Sequence, residues 1–131
     1  MTLEPDVRDY GPNDNRQYVL FKDNTPVCLA CVGETQYDMD GDIGRPASLK
    51  LIWTPTNHRG NGYAPTLATA IWAKFPDLTH DGHLSTHGTK LVTKLGIPLE
   101  VGRTPQPYDD TEAEATGQST WDKWATATPN P

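Results

Sequence analysis

The apolar residues come first in short β-branched and aromatic runs and later at helical spacing, so strands are predicted to precede helices. Gln17 to Phe21 and Pro26 to Val32 are such runs, and Lys22-Asp23-Asn24-Thr25 between them has the Asx-rich character of a hairpin turn. A third strand, Ser48 to Trp53, stops before Pro55. From Ala64 the pattern changes: Ala64, Leu67, Ala68, Ile71 and Phe75 fall at offsets of 3, 4, 7 and 11, one stripe of a helix. Pro65 sits in its first turn, where a missing N–H is harmless, and Pro76 ends it. A second helix is bounded by Ser85 as N-cap and by Gly96 and Pro98 as stop, with Leu91, Val92 and Leu95 as its apolar stripe. Between the helices only a short strand around Leu78 to His80 fits. The order is therefore strand, strand, strand, helix, short strand, helix.

The flanks are less patterned. Residues 1–15 carry Pro5, Gly11, Pro12 and an Asn-Asp-Asn run and read as coil with at most one short strand. Tyr37 to Pro46 reads as an acidic, glycine-punctuated loop. Its Asp-x-Asp-Gly-Asp spacing places the glycine too early for a calcium loop and lacks the twelfth-position Glu. After Val101, Asp109, Asp110, Glu112 and Glu114 suggest a solvated tail, interrupted by a short helix over Ser119 to Ala127 with Trp121, Trp124 and Ala125 on one side. Two tryptophans in a polar segment dock on something: the same domain, a partner, or a second subunit, which makes a homodimer one of the arrangements allowed. Residues 1–104 are expected to form the domain and 105–131 an acidic, Trp-containing tail.

Composition narrows the function. A chain of 131 residues has room for one domain, and 12 prolines, 11 glycines and a mean hydropathy of −0.64 put much of it in loops. No apolar run is long enough to span a bilayer and no leader segment is visible, so a cytoplasmic protein without a membrane partner is expected. A net charge of −6 argues against nucleic acid as partner, since phosphate neutralisation needs clustered Lys and Arg. Cys28 and Cys31 form a CxxC, but on a strand positions three apart face opposite ways, so they can neither bridge nor share a metal. His80, His83 and His87 have the spacing of a metal site without further ligands nearby, and no metal is expected.

The chemistry concentrates in Leu51 to Ala64, where a strand feeds through a glycine-rich turn into a helix. Glycines let backbone approach a ligand, and the first N–H groups of a helix converge where its dipole is positive, so a phosphate or diphosphate fits there. Arg59 adds a charge-assisted donor. The dinucleotide fingerprint would need a third glycine where Pro65 stands, and a Walker loop would need Gly-Lys-Ser/Thr. A structural turn without ligand remains the alternative on glycine content alone.

Arg59-Gly60-Asn61-Gly62-Tyr63-Ala64 resembles the Arg/Gln-x-x-Gly-x-Gly/Ala motif of the GNAT superfamily of N-acetyltransferases, preceded in the same way by a strand and by a proline four residues before the arginine. The family's second helix often reads Asn-x-x-Ala-x-x-x-Tyr-x-x-x-Gly-Phe. Counting back from Gly96 aligns Ser85, Gly88, Val92 and Ile97 with its Asn, Ala, Tyr and Phe. The resemblance covers roughly residues 48–97. It implies an α+β fold with a mixed, mostly antiparallel sheet, splayed between the third strand and the short strand and flanked by helices. Acetyl-CoA as co-substrate would lie in the splay, its diphosphate on the N–H groups from Arg59 through Gly60, Asn61, Gly62 and Tyr63 to Ala64. The backbone at Trp53 and Thr54 would meet the pantetheine arm or acetyl carbonyl, and Ser85 the arm.

Two departures weigh on activity. Val92 stands where many relatives carry a tyrosine that protonates the leaving thiolate, and the first 16 residues are too short for the two helices that usually wall the acceptor site. His80, near the expected splay, is the preferred base, with Glu34 as the other catalytic candidate. The expectation is an acetyl-CoA-dependent N-acetyltransferase acting on a small-molecule or protein amine. The alternatives are a catalytically inactive GNAT-fold binding or inhibitor protein acting on a protein partner, and an unrelated phosphate-binding fold.

Overall fold

The computed structural model describes residues 4–11, 16–33, 35–106 and 109–127. A five-stranded sheet forms from β1 (Asp6–Asp9), β2 (Arg16–Lys22), β3 (Thr25–Gly33), β6 (Ser48–Trp53) and β7 (Thr79–His80), in the spatial order β1-β2-β3-β6-β7. Every neighbouring pair is antiparallel except β6 and β7, which run parallel. β4 (Gln36–Tyr37) and β5 (Ile43–Arg45) make a separate small ribbon. The helices are α1 (Tyr63–Lys74), α2 (Thr86–Leu95) and α3 (Asp110–Ala127). This is the α+β architecture expected, and the three long strands and two middle helices lie where the residue pattern puts them.

The hairpin turn uses Asp23 and Asn24, both at positive φ (52° and 64°), which short polar side chains tolerate better than branched ones. A register shift between Leu20 and Phe21 bulges the pairing so that Val27 stays with the core on the Cys28 side. A second shift between Cys31 and Val32 in the pairing of β3 with β6 puts Leu49 and Leu51 on opposite faces, and along β2 and the rest of β3 alternation holds. Tyr18, Leu20, Cys28, Ala30, Val32 and Leu49 face α1 and α2, whose Leu67, Ala68, Ile71, Leu91 and Val92 complete the main core. Val19, Phe21, Leu29 and Cys31 face the other way. The two thiols therefore sit on opposite faces of β3, both reduced and buried, and burial pushes each up to about 11.

That second face is covered by α3. Trp124 is buried against Val19, Phe21, Leu29 and Cys31, with Tyr10, Leu51 and Trp121 around it. Tyr10 and Phe21 meet Trp124 edge-on at 5.4 and 6.3 Å between ring centres. Here the structure corrects the solvated-tail expectation, because the helix starts nine residues before Ser119, at Asp110. The acidic residues are its first turn, where Asp110 and Glu112 complement the positive helix end and Asp109 Oδ1 accepts the Thr111 N–H at 2.8 Å. Asp110 also reaches back to the start of α2, accepting the Thr86 N–H at 3.0 Å and its hydroxyl at 2.8 Å. Of the arrangements open to the tryptophans, the structure shows docking on the chain's own sheet.

The Tyr37–Pro46 loop also holds more order than expected, since β4 and β5 pair across it. Asp38 accepts the N–H groups of Asp40 and Asp42 at 2.9 and 3.0 Å, so this carboxylate serves the turn. β1 likewise realises the short strand allowed in the first 15 residues, pairing with β2 from Asp6 opposite Phe21 to Asp9 opposite Tyr18.

Candidate functional site

β6 and β7 pair only through Ser48 with Thr79 and Leu49 with His80, after which the strands part. β7 is held at its root: Thr79 donates to the Ala47 carbonyl from both N–H and hydroxyl, at 2.8 and 2.9 Å, while His80 and Glu100 exchange backbone bonds with residues 98 and 80. The chain then leaves the sheet at Gly82, whose φ of +76° and near contact with Leu99 leave no room for a side chain. With no strand beside Lys50 to Trp53 on that side among the described residues, alternate β6 backbone groups face an opening.

A groove of about 410 Å³ runs from this opening across the start of α1 and along α2. Trp53, Thr54, Arg59, Gly60, Gly62, Tyr63, Ala64 and Ser85 line it, eight of the nine residues expected to bind the cofactor. The ninth, Asn61, instead fastens the turn, its amide donating to the His58 carbonyl at 3.0 Å. Gly60 and Gly62 both have positive φ (85° and 75°), and a Cβ on either would meet no atom within 4 Å. The space over these glycines is therefore open, as an approaching ligand requires.

Gly62 is the N-cap of α1 and no side chain caps the helix. The N–H groups of Tyr63 and Ala64 have no intrahelical acceptor, and Pro65 brings none to satisfy. Such a helix start is a receptor for anionic oxygen. Arg59 stands beside it, donating from Nε to the Thr54 carbonyl at 2.8 Å and from its terminal nitrogen to Glu114 of α3, also at 2.8 Å. Across the groove His87, Lys90 and Lys94 line the α2 wall. Arg59, Lys90 and Lys94, three of the chain's eleven Lys and Arg, thus share one cleft, which fits a polyphosphate.

Towards the root of the splay the groove continues into a recess of about 100 Å³ walled by Lys50, Leu51, Trp53, His83, Glu114 and Thr116, among others. Here α3 crosses close over β6: a Cβ at Gly117 would collide with the Trp53 ring. The Trp53 Nε1–H is buried without a hydrogen bond of good geometry, yet it lies near enough to Glu114 to favour that carboxylate's charge. Glu114 titrates below the ordinary carboxylate range, chiefly because of its hydrogen bond to Arg59.

Of the catalytic candidates, Glu34 lies outside the described residues. His80 sits in β7, its Nδ1 accepting the Gly82 N–H at 3.1 Å, and it lines neither the groove nor the recess. Partial burial lowers its pKa. Val92, at the family's tyrosine position, is 1% exposed within the core. Ser85 does cap α2, accepting the Gly88 N–H at 3.1 Å, and also faces the groove. Among the described residues no three His, Cys, Asp or Glu side chains come together as metal ligands, and no helix is long and apolar enough to cross a membrane.

Sequence reasoning named His87 but missed Lys90, Lys94 and Glu114. His87, Lys90 and Lys94 follow the 3-4 spacing of one helix face, a signal that was present. Glu114 had no local signal, because it reaches the groove only through the docking of α3.

No protein-family model and no curated protein sequence matches the chain significantly. Two solved structures do match in fold. A ribosomal-protein-alanine N-acetyltransferase from Brucella melitensis biovar Abortus 2308 superposes with a TM-score of 0.52 at 17% identity, over 64% of this chain and 64% of that one. An integron cassette protein from the mobile metagenome of Cole Harbour Salt Marsh superposes with a TM-score of 0.50 at 15% identity, over 72% of this chain and 59% of its own. The chain thus spans somewhat under two thirds of either relative.

Proposed function

We propose that this chain, built on the GNAT fold, is an N-acetyltransferase that takes acetyl-CoA into the groove beside β6 and passes the acetyl group to an amine. The observation that carries this reading is the uncapped start of α1, with Gly60 and Gly62 leaving open space beside Arg59 at the mouth of a splayed sheet. The residues present fit the cofactor. The Tyr63 and Ala64 N–H groups and the Arg59 guanidinium would hold the diphosphate, and Lys90 and Lys94 add positive charge along the same wall. The free edge of β6 at Trp53 and Thr54 offers backbone partners for the amides of the pantetheine arm, and Ser85 stands opposite.

When bound, acetyl-CoA supplies an activated thioester that an amine can attack directly. The chain's own part is then positioning, a polar contact for the carbonyl, and a place for the amine proton. Val92 cannot move a proton. The titratable groups lining the recess are Lys50, Glu114 and His83.

A second reading is supported by Val92 and by the Arg59–Glu114 pair: a cofactor-binding or inhibitory protein without turnover. Calorimetry with acetyl-CoA, followed by thiol release in the presence of a panel of amines, separates the two. Heat with thiol release supports the enzyme, and heat without release supports the binding protein. Arg59→Ala is expected to weaken acetyl-CoA about tenfold, the loss of a charged hydrogen bond. An absence of heat with the wild-type chain would sink the enzyme and the cofactor-dependent binder and support the inhibitory protein.

A further inference from the structure

Glu114 belongs to the walls of both the groove and the recess, and it is the one carboxylate among the residues lining either. At 2.8 Å it occupies Arg59, the guanidinium best placed for the cofactor's diphosphate. Both side chains are partly exposed, 39% for Arg59 and 48% for Glu114, so the pair is held by position rather than burial. A second restraint fixes that position. Gly117, one turn on, lies against the Trp53 ring, and Asp110, one turn earlier, is bonded to the start of α2, so α3 cannot swing Glu114 freely out of the groove.

An incoming diphosphate therefore faces a carboxylate already seated on its cation. Two anions cannot share one guanidinium in a confined cleft without repulsion, so the diphosphate must take Arg59 from Glu114. The carboxylate is then left, still tethered by α3, at the boundary of the recess of about 100 Å³. Lys50 and His83 also line the recess, and among the described residues that line it Glu114 is the one carboxylate able to receive a cation.

Building on the reading above, we propose that Glu114 is a positioning residue shared in turn by two ligands: it holds Arg59 in the empty groove, yields it to the cofactor's diphosphate, and then anchors the ammonium of a cationic primary-amine acceptor in the recess. The helix at the end of the described chain thereby supplies the acceptor wall, and the cofactor and the amine bind with positive coupling.

The test uses the full chain and measures CoA affinity by calorimetry for wild type, Glu114→Gln and Glu114→Ala, each with and without spermidine as the cationic amine probe. Circular dichroism checks that each variant is folded. Both variants are expected to bind CoA about two- to fivefold more tightly than wild type, the range an exposed ion pair can withhold. Spermidine is expected to tighten CoA binding to wild type and to have no more than a residual effect on the variants, which also corrects for any pairing of spermidine with CoA in solution. Equal CoA affinity in all three proteins, or the same spermidine effect in wild type and variants, would overturn the exchange while leaving cofactor binding intact. If none of the three binds CoA, the acetyltransferase reading itself fails and this inference with it.

Discussion

At Gly62 the backbone does something that other residues do at a cost. Its φ of +75° places an L-residue in the left-handed region, a penalty of roughly 1–2 kcal/mol, while the surrounding space would accept a methyl group without contact. Gly62→Ala should therefore lower stability by about 1 kcal/mol, seen as a reduced urea midpoint with unchanged slope, and should weaken acetyl-CoA binding by turning the first N–H groups of α1. The glycines were legible in the sequence because spacing and neighbours were both local. So was the separation of Cys28 from Cys31, since strand alternation alone decides it. With both thiols pushed up to about 11 by burial, neither should react with a thiol reagent at pH 8 until denaturant is added. His80 shows the limit of such reading: its position near the splay follows from the sequence, but which way β7 leads away from the groove depends on Gly82 and on residues 98–100, which no local pattern announces.

At the scale of elements, α1 and α2 were written in their apolar stripes, whereas α3 was not. Its described residues bury only Gly117 and Trp124, too few for a stripe, and its acidic first turn mimics a solvated tail. The contact that seats it is the absence of a side chain at Gly117. Alanine there would favour the helix by up to about 1 kcal/mol by propensity, yet the methyl group would drive into the Trp53 ring. Gly117→Ala is thus expected to be net destabilising by about 1–3 kcal/mol, with altered tryptophan fluorescence from the Trp53, Trp121 and Trp124 cluster, whose ring centres lie 5.3 to 5.9 Å apart in sequence along it. An unchanged spectrum and a higher melting temperature would show that α3 does not rest on Trp53 in solution. The β4–β5 ribbon was hidden for a related reason: glycines and aspartates dominate it, and the bonds that order it run from Asp38 to its own backbone.

For the molecule as a whole, the main ionic tie outside the groove is Glu100, 7% exposed and bonded to Arg103 at 2.7 Å and to Arg45 at 3.1 Å. It joins the β4–β5 ribbon to the segment that pairs with β7. Its carboxyl titrates below the ordinary range, chiefly through the Arg103 bond, so the unfolded chain takes up this proton first. The stabilisation should be complete above about pH 4.3 and disappear as pH falls through the lower folded value. Glu100→Gln should lose roughly 1–3 kcal/mol at pH 7, and the difference from wild type should shrink in strongly acidic buffer. Urea melts at several pH values measure this, and a constant difference across the range would contradict it. The tie links residues 55 apart in the chain, which is why pattern reading missed it, as it missed the junction of α3 with the groove.

The lopsided burial of α3 carries a kinetic consequence. Although Asp110 and Glu114 tie it down, a helix that buries only Gly117 and Trp124 has less apolar contact to break than the hairpins and the larger core, so its amides should exchange with deuterium before those of β2 and β3. Each lifting of the helix bares the greasy underside of the sheet for a moment, and anything that clamps α3 in place should slow both that exchange and clipping by proteases.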